Sequence, residues 1–165
     1  MNFINICKQQ YDIIIGDCYG IDAAVQELLK SMNYRKVTVF ATNGITRNNK
    51  GNWGVFAVHN NGRSKGFDFY HEKDLAMIQA ADYGLMIWDE EGKGTLSNMI
   101  ELAKQNKPTA VYLTKSKKTA TITNELSLAR LIHSCDPSAQ KLYWQLTRQS
   151  DKPTQLQQVS WFSTI

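Results

Sequence analysis

At 165 residues, 42% apolar and 21% charged, the chain has the size and composition of one soluble globular domain with its own core. No apolar run approaches the roughly 20 residues of a membrane span, and the opening MNFINICKQQ lacks the apolar stretch of a secretory signal; a cytoplasmic protein is expected. The net charge of +4 is mild and its basic residues fall in small groups (Arg35-Lys36, Lys115 with Lys117-Lys118, Arg148 to Lys152), which weighs against nucleic acid as a partner without excluding it.

In chain order, Phe3, Ile4 and Cys7 sit at helical spacing, so residues 2–9 read as the last turns of a helix. Ile13-Ile14-Ile15 is a short β-branched run, the mark of a buried strand. Gly16, Asp17, Cys18, Tyr19 and Gly20 break it. A helix over 22–32 follows, with Val25, Leu28, Leu29 and Met32 as its apolar stripe and the Asp22 carboxylate capping its first turn. A second strand covers 36–41. Residues 42–69 hold Asn43-Gly44, Asn48-Asn49, Asn60-Asn61-Gly62 and Lys65-Gly66, which is turn chemistry around one short extended piece at 53–58. A loop of that length suits a lid or a specificity loop.

Residues 71–81 read as a helix and Leu85-Met86-Ile87-Trp88 as a third strand. A helix over 95–105 and a fourth strand over 109–113 follow, and alternation of this kind argues for a parallel, doubly wound sheet. After Thr114 come a polar connection at 115–118, then helices over 124–133 and 138–148. The tail carries Trp161-Phe162, which dock on the chain's own core or, in a homo-oligomer, on a second copy. The expected fold class is thus α/β. It is a Rossmann-like, doubly wound, mainly parallel sheet of about four to five strands over 1–114, with a helical C-terminal extension over 115–165, in a single domain.

Cys7, Cys18 and Cys135 are too far apart for a disulfide framework or for metal-ligand spacing, so neither metal nor cofactor is expected. Reduced, partly buried thiols are expected; Cys18 alone lies in the opening turn, where a helix N-terminus can lower a thiol pKa. Two turns carry the chemistry. The first is Gly16 to Asp22. The second, Asp89-Glu90-Glu91-Gly92-Lys93-Gly94-Thr95, repeats its plan of strand, glycine-bearing turn and helix. Lys93 suits a phosphate, and the Thr95 hydroxyl can cap the helix or meet a phosphate oxygen. Helix N-termini offer N–H groups and partial positive charge, and in a parallel sheet both turns share one edge. Gly-Lys-Gly-Thr is not the P-loop pattern.

Further segments repeat a known pattern: Gly16-Asp17 with Gly20-Ile21-Asp22, Thr46-Arg47-Asn48-Asn49 with Gly51-Asn52-Trp53, Lys73-Asp74-Leu75-Ala76-Met77, Ala81 to Asp89, and Lys93-Gly94-Thr95-Leu96-Ser97-Asn98. Over 12–113 the chain resembles the SLOG superfamily of Rossmann-like proteins, in a branch of small bacterial and phage proteins. That superfamily is related to the Lonely Guy phosphoribohydrolases and to the fold of DNA-processing protein A. The resemblance implies a nucleotide or nucleotide derivative as ligand. It implies a site lined by Gly16, Asp17, Gly20, Asp22, Asp89, Lys93, Gly94, Thr95 and Asn98, with Arg47 and Lys73 supplying positive charge and Asp74 orienting one of them or a sugar hydroxyl. The alternatives are an N-glycosidase acting on a nucleoside monophosphate, with Asp22 and Glu101 as candidate catalytic groups, and a module binding single-stranded nucleic acid or protein.

Two departures stand out. Lonely Guy enzymes end the second turn in Gly-Gly-x-Gly-Thr-x-x-Glu, whereas Asn98 stands at the glutamate here and cannot serve as a base. The chain also lacks the family's first strand, normally central. Three alternatives are open: Ile13-Ile14-Ile15 pairs directly with Leu85–Trp88, another segment or protomer fills the gap, or the start codon is assigned too late.

Overall fold

The computed structural model describes residues 11–59 and 67–150. The helix expected over 2–9 and the Trp161-Phe162 tail lie outside the described residues. No helix among the described residues is long and apolar enough to cross a membrane.

The architecture is mixed α/β. The elements in order are β1 (Ile13–Ile15), α1 (Ile21–Ser31), β2 (Val37–Thr42), β3 (Gly54–Val58), α2 (Phe67–Ala80), β4 (Gly84–Trp88), α3 (Lys93–Lys104), β5 (Thr109–Leu113), β6 (Lys118–Ile122), α4 (Glu125–His133) and α5 (Pro137–Ser150). The expected single sheet is corrected to two three-stranded sheets, β1-β2-β3 and β4-β5-β6. The first is wholly parallel, with Ile13 opposite Val37 and Thr38 opposite Gly54. In the second, β4 and β5 are parallel while β6 returns antiparallel on β5.

β1 does not pair with β4, so the direct re-pairing is also corrected. The sheets are joined instead through α2, which packs on β2 and β3 and against α3. Packed helices sit about 8–10 Å apart, wider than the about 4.8 Å step between paired strands. Two sheets held by α2 against α3 therefore need not bring their edge strands into ladder contact. β1, only three residues long, also has few backbone groups with which to recruit a second neighbour.

Two cores result. The smaller gathers Ile15, Leu29, Val37 and Val39 under α1. The larger runs from Trp88, through Leu96 and Met99 of α3 and Val111 of β5, to Leu128, Ile132 and Tyr143 of the last helices. The extension after residue 114 is not wholly helical, because Lys118–Ile122 forms β6. Its sequence, Lys-Thr-Ala-Thr-Ile, buries only Ile122 and is mostly exposed, a common state for an edge strand. On α1 the inward residues are Gln26 and Leu29, while Leu28 and Met32 are exposed, so the expected apolar stripe is turned round the helix.

Gly84 opens β4 opposite Thr109 of the parallel strand β5 and beside Leu102 of α3. A Cβ there would meet Thr109 Oγ1 at 2.6 Å and Leu102 Cδ1 at 2.8 Å. Gly84→Ala is expected to destabilise the fold by about 1–3 kcal/mol through overpacking, read as a lower urea midpoint with an unchanged m-value.

Candidate functional site

β1 delivers Asp17 to the carboxyl end of the parallel sheet, where open α/β sheets bind ligands. Asp17 is only 2% exposed. Arg47 grips it from the loop between β2 and β3: Nη2 donates to Oδ1 at 2.7 Å, while Nε at 3.3 Å and the backbone N–H at 3.0 Å both donate to Oδ2. Lys73 of α2, 1% exposed, places its ammonium 3.8 Å from Asp17 Oδ1 and 3.2 Å from Asp74 Oδ1. Asp74 Oδ2 in turn accepts from Asn98 Nδ2 of α3 at 3.2 Å. A polar chain Arg47–Asp17–Lys73–Asp74–Asn98 thus spans both halves of the molecule.

Gly16 is required by this packing, since a Cβ would press on the Asp22 carboxylate and lie 2.8 Å from Lys73 Nζ. The expected capping of α1 by Asp22 is corrected: its side chain does not cap the helix. Gly20 is the N-cap, and Asp22 Oδ2 reaches back to accept the Cys18 N–H at 3.0 Å. The expected lid is also tied down where it is described. Asn48 donates to the Asp17 carbonyl at 3.1 Å, and the fully buried Gln26 amide donates to the Gly16 carbonyl at 2.8 Å while accepting the Lys50 N–H at 3.0 Å. Gln26 was missing from the sequence expectation, and Asn48 stood there only as part of a turn motif. The available signal for Gln26 was a lone amide within the otherwise apolar inward face of an amphipathic helix.

The second turn is built separately. Asp89 Oδ1 accepts the N–H groups of Glu91 at 3.0 Å and Gly92 at 2.8 Å, closing its own turn. Gly92 is the N-cap of α3, and Lys93, Gly94 and Thr95 form the first helical turn without a side-chain cap, so the Thr95 hydroxyl is not the cap. Asn98 links α3 to the Asp17 chain through its bond to Asp74. Glu101 bonds Lys104 at 2.9 Å along the helix and takes no part in the chain.

The carboxyls titrate in opposite directions. Burial pushes Asp17 up, but the Arg47 guanidinium and backbone N–H outweigh it and hold the carboxyl below its ordinary value. Burial raises Asp22, with Asp74 and Asp17 adding to it against the Cys18 N–H and Lys73. Lys73 is disfavoured as a cation by burial, yet Asp74, Cys18 and Asp22 more than restore its proton. Burial also raises the Cys18 thiol, against the pull of Lys73 and Arg47. A helix N-terminus therefore does not activate this thiol: desolvation dominates and the Asp22 charge adds to it, leaving the free, partly buried cysteine expected from the sequence.

Asn98 Oδ1 is buried and accepts no hydrogen bond among the described residues. Flipping the amide would set oxygen against the Asp74 carboxylate, so the orphan is the acceptor and not the donor. Such a buried acceptor costs about 1–3 kcal/mol unless something donates to it. No protein-family model, curated protein or solved structure matches the chain. Among the described residues no three or more His, Cys, Asp or Glu are grouped to hold a metal ion.

Asp17 and Asp22 should therefore respond oppositely to pH. The depressed Asp17 stabilises the fold above its unfolded pKa of about 3.9, and that stability is lost as pH falls through its folded value. The raised Asp22 binds its proton more tightly when folded, so its contribution falls as pH rises from the unfolded to the folded pKa. At neutral pH, Asp17→Asn is expected to cost about 3–5 kcal/mol, the cost of breaking a buried pair, whereas Asp22→Asn stabilises. Thermal unfolding of both variants from pH 3 to pH 8 checks the signs, ~3–8 being the range around the carboxyl values.

Proposed function

We propose that the chain binds a nucleoside phosphate, as a nucleotide-binding protein of the SLOG type, at the carboxyl ends of β1 and β4. The observation that carries this reading is the orphan acceptor Asn98 Oδ1, held in place by the bond from its own amide nitrogen to Asp74. A ribose hydroxyl donates to such an acceptor and can accept from neighbouring donors, which suits a sugar between Asp74 and Asn98. The phosphate then belongs at the first turn of α3, where the positive end of the helix beginning after Gly92 meets the Lys93 ammonium and the Thr95 hydroxyl. It does not belong beside Asp17, whose neighbourhood holds three carboxylates (Asp17, Asp22 and Asp74) against the two cations Arg47 and Lys73.

Nucleoside 5′-monophosphates are expected to raise the melting temperature, since binding at 100 times Kd stabilises a folded state by about 2.7 kcal/mol. Ribose 5-phosphate should give a smaller rise, and Asn98→Ala should abolish most of both. No shift with any of these compounds at millimolar concentration refutes the reading.

Asp22 favours one second reading, an N-glycosidase. Its raised carboxyl retains a proton to a higher pH than an ordinary aspartate, as a general acid must when it protonates a departing base. Free base released from a monophosphate, detected by chromatography, should disappear in Asp22→Asn. It should persist in Glu101→Gln, because Glu101 is engaged with Lys104. Release that survives Asp22→Asn removes Asp22 from the mechanism.

A further inference from the structure

A cavity of about 330 Å³ lies on the far side of the second turn, between the carboxyl ends of β4 and β5, the turn into β6 and the junction of α4 with α5. Its lining includes Glu90, Lys115, Lys118, Ser134 and Asp136. The volume falls within the range of small-molecule sites. None of these residues belongs to the Asp17–Asn98 chain.

Glu90 is the unusual member. It follows β4 in a left-handed backbone conformation, with φ 66°. Its side chain is carried inward, leaving the residue 5% exposed. One carboxylate oxygen accepts the Asp136 N–H at 3.2 Å. The Cys135 thiol donates to the Leu131 carbonyl at 3.4 Å, and burial, with the Glu90 charge adding to it, pushes that thiol up to about 11. No lysine or arginine among the described residues forms an ion pair with Glu90. Buried carboxylates are ordinarily matched by a cation.

The neighbouring lysine is already engaged, for Lys115 Nζ lies 2.9 Å from Glu91 Oε1 and 3.6 Å from Asp136 Oδ2. Lys118, on the exposed start of β6, lines the same cavity and forms no ion pair among the described residues. The cavity therefore holds one buried anion lacking a cation and, at its wall, one cation lacking an anion. We propose that it binds a small aliphatic zwitterion, with the ligand's ammonium on Glu90 and its carboxylate on Lys118. The serine hydroxyl of Ser134 offers a further donor and acceptor at the wall, and Leu113 supplies an apolar contact for the connecting carbons.

Three probes of equal chain length separate the two charges: 4-aminobutanoate carries both, butylammonium only the cation and butanoate only the anion. Each is titrated into the ¹⁵N-labelled full chain while amide shifts are followed. 4-Aminobutanoate is expected to give saturable shifts at Lys118, Ser134 and Asp136. Butylammonium should bind about ten-fold more weakly, the loss of one charge-assisted contact, and butanoate should give no saturable shift. Glu90→Gln keeps an acceptor for the Asp136 N–H and removes the charge, so binding should weaken by about ten-fold or more. Lys118→Met, on an exposed strand position, should lower 4-aminobutanoate to the affinity of butylammonium; it decides the matter if the Glu90 variant does not fold. Butanoate binding as well as 4-aminobutanoate, unchanged binding in a folded variant, or no saturable shift with any probe overturns the proposal. Nucleotide binding at Asn98 is scored separately and does not bear on this result.

Discussion

The Asp17 carboxylate, buried at the end of β1 and gripped by Arg47 with Lys73 beside it, is the interaction on which the rest of the site depends. A buried carboxylate requires such partners because desolvation otherwise opposes its charge. Arg47 supplies a fork that engages both oxygens, and its backbone N–H adds a third bond. Meeting that requirement fixes three elements at once: the turn after β1, the loop between β2 and β3, and the second turn of α2. Gly16 and Gln26 follow from it, the glycine by leaving room for Lys73 and Asp22, the glutamine by bonding the Gly16 and Asn48 carbonyls.

The same polar chain accounts for how two sheets without a common ladder stay in register. α2 packs on β2 and β3 on one side and against α3 on the other, while Lys73 and Asp74, adjacent in sequence, link the Asp17 turn to Asn98. Lys107 adds a tie, donating to the carbonyls of Ile78 and Gln79 at the end of α2. Side-chain bonds of this kind are local and directional. They set the distance between the two βα turns more firmly than apolar contact between edge strands of three and five residues would.

Much of the element order was legible in the sequence. Ile13–Ile15 and Thr109–Leu113 are short, apolar and β-branched or aromatic, and both form strands where periodicity places them. Asn124 caps α4 through a reciprocal bond with Ser127, close to the expected start at residue 124. β6 was hidden because an edge strand needs only one inward apolar residue, here Ile122, and its alternation is too weak to separate from a polar turn. Sheet division was hidden for a different reason: strand pairing depends on tertiary spacing, which period and propensity do not encode. Within the site, Asp17, Arg47, Lys73, Asp74 and Asn98 were named from the sequence and stand connected. The capping role of Asp22 was misjudged, because its contacts depend on which groups burial places beside it, whereas Cys18 is the free, partly buried thiol expected.

The unequal cores have a consequence for how the molecule comes together. The larger core draws its members from residues 88–143, a continuous stretch whose contacts close short loops. The smaller core holds four buried residues, from β1, α1 and β2. Stability is correspondingly uneven along the chain: the C-terminal half carries the means to assemble first, and the N-terminal half gains much of its hold on it through charges that must be desolvated in the act of docking. The segment bearing Asp17 is then the last to become ordered and the first to open, and amide exchange at β1 and β2 would run faster than at β5.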